Sequence, residues 1–85
     1  MKPRFTPGQH AACAAELYEI RARLITLCND IGRAYPHNHR FARAAEQALR
    51  AVDEARNRGD SALAVEHPGA FTPRTYYPRT DQEIA

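Results

Sequence analysis

The chain has 85 residues, a net charge of +2 and 44% of its residues in the hydrophobic class, which suits one small domain and excludes a multidomain protein or a large enzyme. Sixteen of those apolar residues are Ala, and only 14 residues are Leu, Ile, Val or Phe, so a core built by one copy alone is expected to be marginal and to need a partner or a second copy. No run approaches the roughly 20 apolar residues of a bilayer span, and Met1-Lys2-Pro3-Arg4-Phe5 lacks the apolar stretch of a secretory leader; a cytosolic setting with no membrane partner is expected.

A helix start is legible at Thr6, a good N-cap followed by Pro7 at the first helical position and by Gln9 at the third. Apolar residues then recur at Cys13, Leu17, Ile20, Leu24, Leu27, Ile31 and Ala34. Their 4-3-4-3 spacing is a heptad seam. Tyr18, Ile25 and Cys28 widen it, and Glu19–Arg23 is an i,i+4 pair on the outer face. Tyr35 precedes Pro36 and is steered out of helical geometry, so the helix is predicted to end near Ala34. Cys13 and Cys28 on one helix stand roughly 22 Å apart, too far for a disulfide, and read as packed thiols.

Pro36-His37-Asn38 is a short connection, with Asn38 as the expected N-cap of a second helix from about His39 to Arg58. Its seam is Phe41, Ala45, Ala48, Val52 and Ala55, and Ala42 and Leu49 flank it. Arg50–Glu54 and Glu54–Arg58 are further i,i+4 pairs, and Gly59 is a natural stop. So short a turn makes the helices antiparallel. The predicted fold class is all-α: a two-helix hairpin over residues 7–34 and 39–58, an N-terminal arm over 1–6, and a tail over 60–85, assembling as an oligomeric bundle. A broad Leu/Ile stripe faces a narrow Ala stripe, and Ala buries little area. Leu17, Ile20, Leu24, Ile25, Leu27 and Ile31 are therefore the expected interface to a second copy, unless the tail covers them.

The tail is expected to be mostly irregular, with Asp60–Glu66 able to add one turn of helix. Beyond His67-Pro68-Gly69 its prolines favour an extended, polyproline-like path. Arg74, Tyr76, Tyr77 and Arg79 interleave cations with aromatics. Such a pattern stacks bases and grips phosphates, or else docks on its own hairpin.

A second candidate group surrounds the turn: Arg33, Tyr35, His37, His39, Arg40 and Arg43. With the N-terminus of the second helix it forms a possible anion site; the alternative is a solvated helix end. Eleven of the 12 Lys and Arg residues are Arg, a bias that GC-rich coding produces and that also suits bidentate recognition of phosphate. His37-Asn38-His39 lacks the further ligands of a metal site. No nucleophile elbow or phosphate-cradling glycine loop is present, so neither catalysis nor a cofactor is expected. The nearly balanced charge argues against duplex nucleic acid as a partner.

Tyr18-Glu19-Ile20-Arg21, the proline turn at Pro36 and the Ala-rich face through Ala45, Ala48, Ala51-Val52 and Ala55 resemble a phage-encoded family of short helical-hairpin proteins. That family includes the anti-CBASS and anti-Thoeris proteins, which sequester cyclic nucleotide immune signals. The likeness spans about residues 17–56 and departs from the family late in the second helix, where Asp53 and Glu54 replace an aromatic. It implies an oligomer that binds a small phosphate-bearing ligand without chemistry. Two other expectations stand beside it: an inhibitor or adaptor that masks a surface of a larger host protein, and an oligonucleotide-binding accessory protein.

Overall fold

Thr6 caps the first helix as its residue type predicts. Its Oγ accepts from the Gln9 amide at 3.1 Å, and the Gln9 side chain accepts from the Thr6 amide at 2.8 Å. The helix then runs without interruption as α1, Pro7–Ala34. It stops where Pro36 forces extended backbone on Tyr35 (ψ 145°). The computed structural model describes residues 4–78; α1 and a second helix, α2 (Arg40–Glu66), form an all-α antiparallel hairpin with no strand among them.

Two details of α2 differ from the sequence expectation. Asn38 is taken up in a tight turn, in which the His39 amide donates to the Pro36 carbonyl at 2.9 Å. The cap therefore falls to His39, whose Nδ1 accepts from the Phe41 amide at 3.1 Å. At the other end Gly59 is not a stop, and α2 continues through it to Glu66. A Cβ at Gly59 would stand 2.5 Å from Cε1 and Cζ of Tyr76. Glycine is thus explained here by the close approach of a ring rather than by helix termination.

The seam between the helices is rotated by one heptad position from the predicted one. On α1 the inner row is His10, Ala14, Leu17, Arg21, Leu24, Cys28 and Ile31, and Cys13 and Ile25 are half-buried beside it. The row shares Leu17, Leu24 and Ile31 with the predicted seam, but Ile20 and Leu27 stay 46% and 53% exposed. On α2 the row is Ala42, Ala45, Leu49, Val52, Arg56 and Leu63, and Phe41 is left 49% exposed. Polar residues occupy positions of this inner seam: Arg21 Nε donates to Asp53 at 2.6 Å, and Arg56 is buried. Cys13 and Cys28 are free thiols, both half-buried.

The residues after α2 fold back onto the hairpin instead of extending. Pro73 takes the second position of a turn closed by Thr75 N–H to the Thr72 carbonyl, at 3.1 Å, where its fixed φ is favourable. A second bond, Tyr77 N–H to the Pro73 carbonyl at 3.2 Å, continues the curl. This delivers Tyr76 between the helices, 2% exposed, against Ala14 and Leu63, with Leu17 and Phe71 at the margin. The small core thus sits at the end remote from the turn. No helix is long and apolar enough to cross a membrane among the described residues.

Candidate functional site

The two groups singled out in the sequence lie at opposite ends of a molecule whose longest dimension is 46 Å. A helix of α1's length spans about 42 Å, so no ligand of nucleotide size touches both within one copy.

At the turn, His37 and Arg43 face one polar groove of about 340 Å³, together with Asn38, Glu46, Gln47 and Arg50. Arg43, Glu46, Gln47 and Arg50 stand at i, i+3, i+4 and i+7, which puts them on one face of α2. Arg40, Arg43 and Arg50 have no carboxylate within ion-pair distance among the described residues. The first turn of α2 carries no acid, so the positive end of the helix dipole is unopposed there. The other residues predicted for this site are engaged elsewhere. Arg33 Nη1 donates to Asp30 at 3.0 Å. Tyr35 packs against His39 with the rings tilted by 44° at 4.7 Å and meets Phe41 edge-on at 5.4 Å. His39 caps α2 through an unprotonated Nδ1, so it adds no positive charge while it does so. Arg40 is exposed outside the groove. Arg50, Glu46 and Gln47 were missed by a search centred on the turn; the seven-residue spacing from Arg43 to Arg50 is the signal that points to them.

At the opposite end the tail is bound to its own hairpin. The Tyr76 hydroxyl lies 2.7 Å from His10 Nδ1, and His10 Nε2 is 3.4 Å from Glu66. Arg56 donates to the Tyr76 carbonyl at 2.9 Å. Its guanidinium, 4.9 Å from the Tyr77 ring centre and 5.8 Å from that of Tyr18, also lies 3.6 Å from Asp53. Arg56 Nε and Asp60 Oδ1 are buried without a hydrogen-bond partner among the described residues; the flanking rings compensate part of that cost for Arg56. Burial, and then the charges of Cys13, Asp60 and Glu66, raise the Tyr76 hydroxyl above the usual tyrosine range. Tyr76 is therefore a fixture of the fold and is not presented to a ligand. Tyr77 is committed to Arg56, Arg74 is exposed, and Arg79 lies outside the described residues. Beside the tail a largely apolar cavity of about 460 Å³ opens between Phe5, Cys13, Leu17, Ala55 and Ala62, with Arg4 and Arg58 at its edge.

Among the described residues no three His, Cys, Asp or Glu side chains gather as a metal site would require. Comparison with protein-family models, with curated proteins and with solved structures finds no match to this chain. The fold and the two ends described here define a helical hairpin with a basic groove at its turn and a docked tail at its base.

Proposed function

We propose that this is a non-catalytic binding protein that acts as an assembly of copies and sequesters a small phosphate-bearing ligand of nucleotide type in the groove at the turn. The observation that carries the reading is the set His37, Arg43 and Arg50, three cationic or protonatable groups around one groove. Arg suits phosphate because its guanidinium donates two parallel hydrogen bonds. Glu46 and Gln47 share the groove and supply acceptors that a bare phosphate cannot use; the amino edge of a base can. The resemblance to cyclic-nucleotide sponges supports the same assignment.

Calorimetric titration and thermal shift against cyclic di- and trinucleotides test it. Arg43→Ala with Arg50→Ala removes two charge-assisted contacts, so affinity should fall by at least about 10- to 100-fold at unchanged helicity. No binding by any of the nucleotides at about 1 mM would overturn the assignment. A second reading, an inhibitor or adaptor that masks a host protein, draws on the exposure of Ile20, Leu27 and Phe41. It predicts one stoichiometric host partner, lost on Leu27→Glu.

A further inference from the structure

The hairpin has two flanks, and they differ in kind. One is closed by polar chemistry, with Arg21 on Asp53 and Arg56 beneath Tyr18 and Tyr77. The other is apolar and open. Cys13 and Leu17 of α1 and Ala55 and Ala62 of α2 line one cavity there, which identifies the open flank. A seven-residue step from Cys13 leads along it to Ile20, Leu27 and Ala34. The same step from Ala62 leads back to Ala55, Ala48 and Phe41. These are the heptad positions left over once the inner seam is filled.

The cross-helix contacts fix the levels. Arg21 is opposite Asp53 and His10 opposite Glu66, so Ile20 stands level with Ala55, Leu27 with Ala48, and Ala34 with Phe41. Each level pairs one large side chain with one Ala, and the large one changes from α1 to α2 at the turn.

We propose that this face receives a second copy of the chain, related by a two-fold axis parallel to the helices, to form a four-helix bundle. About that axis α1 lies antiparallel over α2 of the other copy, and levels are preserved. Ile20 then meets Ala55 of the second copy, Leu27 meets Ala48, and Ala34 meets Phe41. Each of these layers sets one large side chain against one Ala, which keeps the two interhelical gaps similar and near the usual 8–10 Å. Glu16 at the edge of α1 reaches the level of Arg58 at the edge of the other copy's α2, a complementary pair. The perpendicular in-plane axis does the opposite. It sets Ile20 over Leu27 on one side and Ala48 over Ala55 on the other, which makes a wedge, and it brings Arg23 against its own copy. A parallel axis also puts both turns, and both basic grooves, at one end of the bundle. This specifies the assembly invoked above and does not depend on what the grooves bind.

The experiment uses the ligand-free, full-length chain with Cys13→Ser and Cys28→Ser. Two differently tagged chains, one with Ile20→Cys and one with Ala55→Cys, are mixed and oxidised, and a parallel mixture pairs Ile20→Cys with Leu27→Cys. We expect a light-scattering mass near twice the 9.6 kDa of one chain, a mixed disulfide in the first mixture and at least a tenfold lower yield in the second. Leu27→Glu should halve the mass while circular dichroism stays helical, because Leu27 is exposed within one copy. A wild-type monomer at about 100 μM, or cross-linking favouring the second mixture, would overturn the proposal. Since no nucleotide enters the experiment, its failure is separate from failure of the ligand assignment.

Discussion

Gly59→Ala reports on whether the tail is docked as described, because the direction of its effect depends on Tyr76. In the middle of an exposed helix, Gly to Ala stabilises by about 1 kcal/mol through backbone entropy. Here the new methyl would stand 2.5 Å from two carbons of the Tyr76 ring and 2.8 Å from its hydroxyl oxygen. The ring cannot swing aside freely. It is 2% exposed, its hydroxyl is 2.7 Å from His10, and its carbonyl accepts from Arg56 at 2.9 Å. Expelling it forfeits about 2–3 kcal/mol of ring burial and about 1 kcal/mol for each hydrogen bond. Set against the helical gain, the net loss is about 3 kcal/mol, or more than about 10 °C in Tm for a domain of this size. Urea and thermal denaturation followed by circular dichroism, at fixed protein concentration, measure it. The control is the same substitution in a Tyr76→Ala chain, where no ring opposes the methyl and Ala should stabilise by about 0.5–1 kcal/mol. If Gly59→Ala raises Tm in the wild-type chain as well, the ring does not sit on that glycine and the docking is refuted.

Asp53→Ala should cost about 2 kcal/mol and Arg21→Ala under about 1 kcal/mol in urea titrations, although the two share one ion pair: the pair is only half-buried and itself contributes little, but Asp53 also faces the buried Arg56 at 3.6 Å and its loss leaves that charge poorly compensated. The raised Tyr76 hydroxyl makes stability depend on pH at the alkaline end. The folded state holds the proton more tightly than the unfolded one, so the contribution is full below about pH 10 and is lost as pH rises through the folded-state value; Tyr76→Phe should flatten that decline in stability-versus-pH curves. The same Tyr76→Phe variant should lose about 1–3 kcal/mol at neutral pH by leaving His10 Nδ1 without its partner. A chain ending at Glu66 uncovers Leu63 and Ala14 and should lower Tm by more than about 10 °C, with increased binding of a hydrophobic dye.

Local signals determined α1 to the residue, because its ends rest on Thr6, Gln9 and Pro36, whose chemistry acts within four positions. The inner seam was not legible for a different reason. A 4-3 repeat of apolar residues looks the same in two neighbouring registers, and both pass through Leu17, Leu24 and Ile31. The register used inside the hairpin is completed by His10, Arg21 and Arg56, which no hydrophobicity pattern selects. The other register, which the apolar pattern does select, maps onto the open face. Gly59 was misread because a glycine that ends a helix and one that admits a ring carry the same letter; only Tyr76, 17 residues further on, distinguishes them. The turn cluster was half legible. Clustering in sequence found His37 and Arg43, but the face of a helix, which carries Arg50, is set by periodicity.

The uneven placement of the core has a consequence for how the molecule opens. Apart from Ala42, the buried residues among those described are His10, Ala14, Arg56, Leu63 and Tyr76, all towards the tail. The turn end is held by the connection, by the small buried Ala42 with the half-buried Cys28, Ile31 and Ala45, and by the exposed ring contacts of Tyr35. Amide exchange should therefore be graded along the hairpin, slowest near Ala14 and Leu63 and fastest near the turn. The basic groove at the turn thus lies on the less densely packed end of the hairpin, where local opening of the backbone costs least.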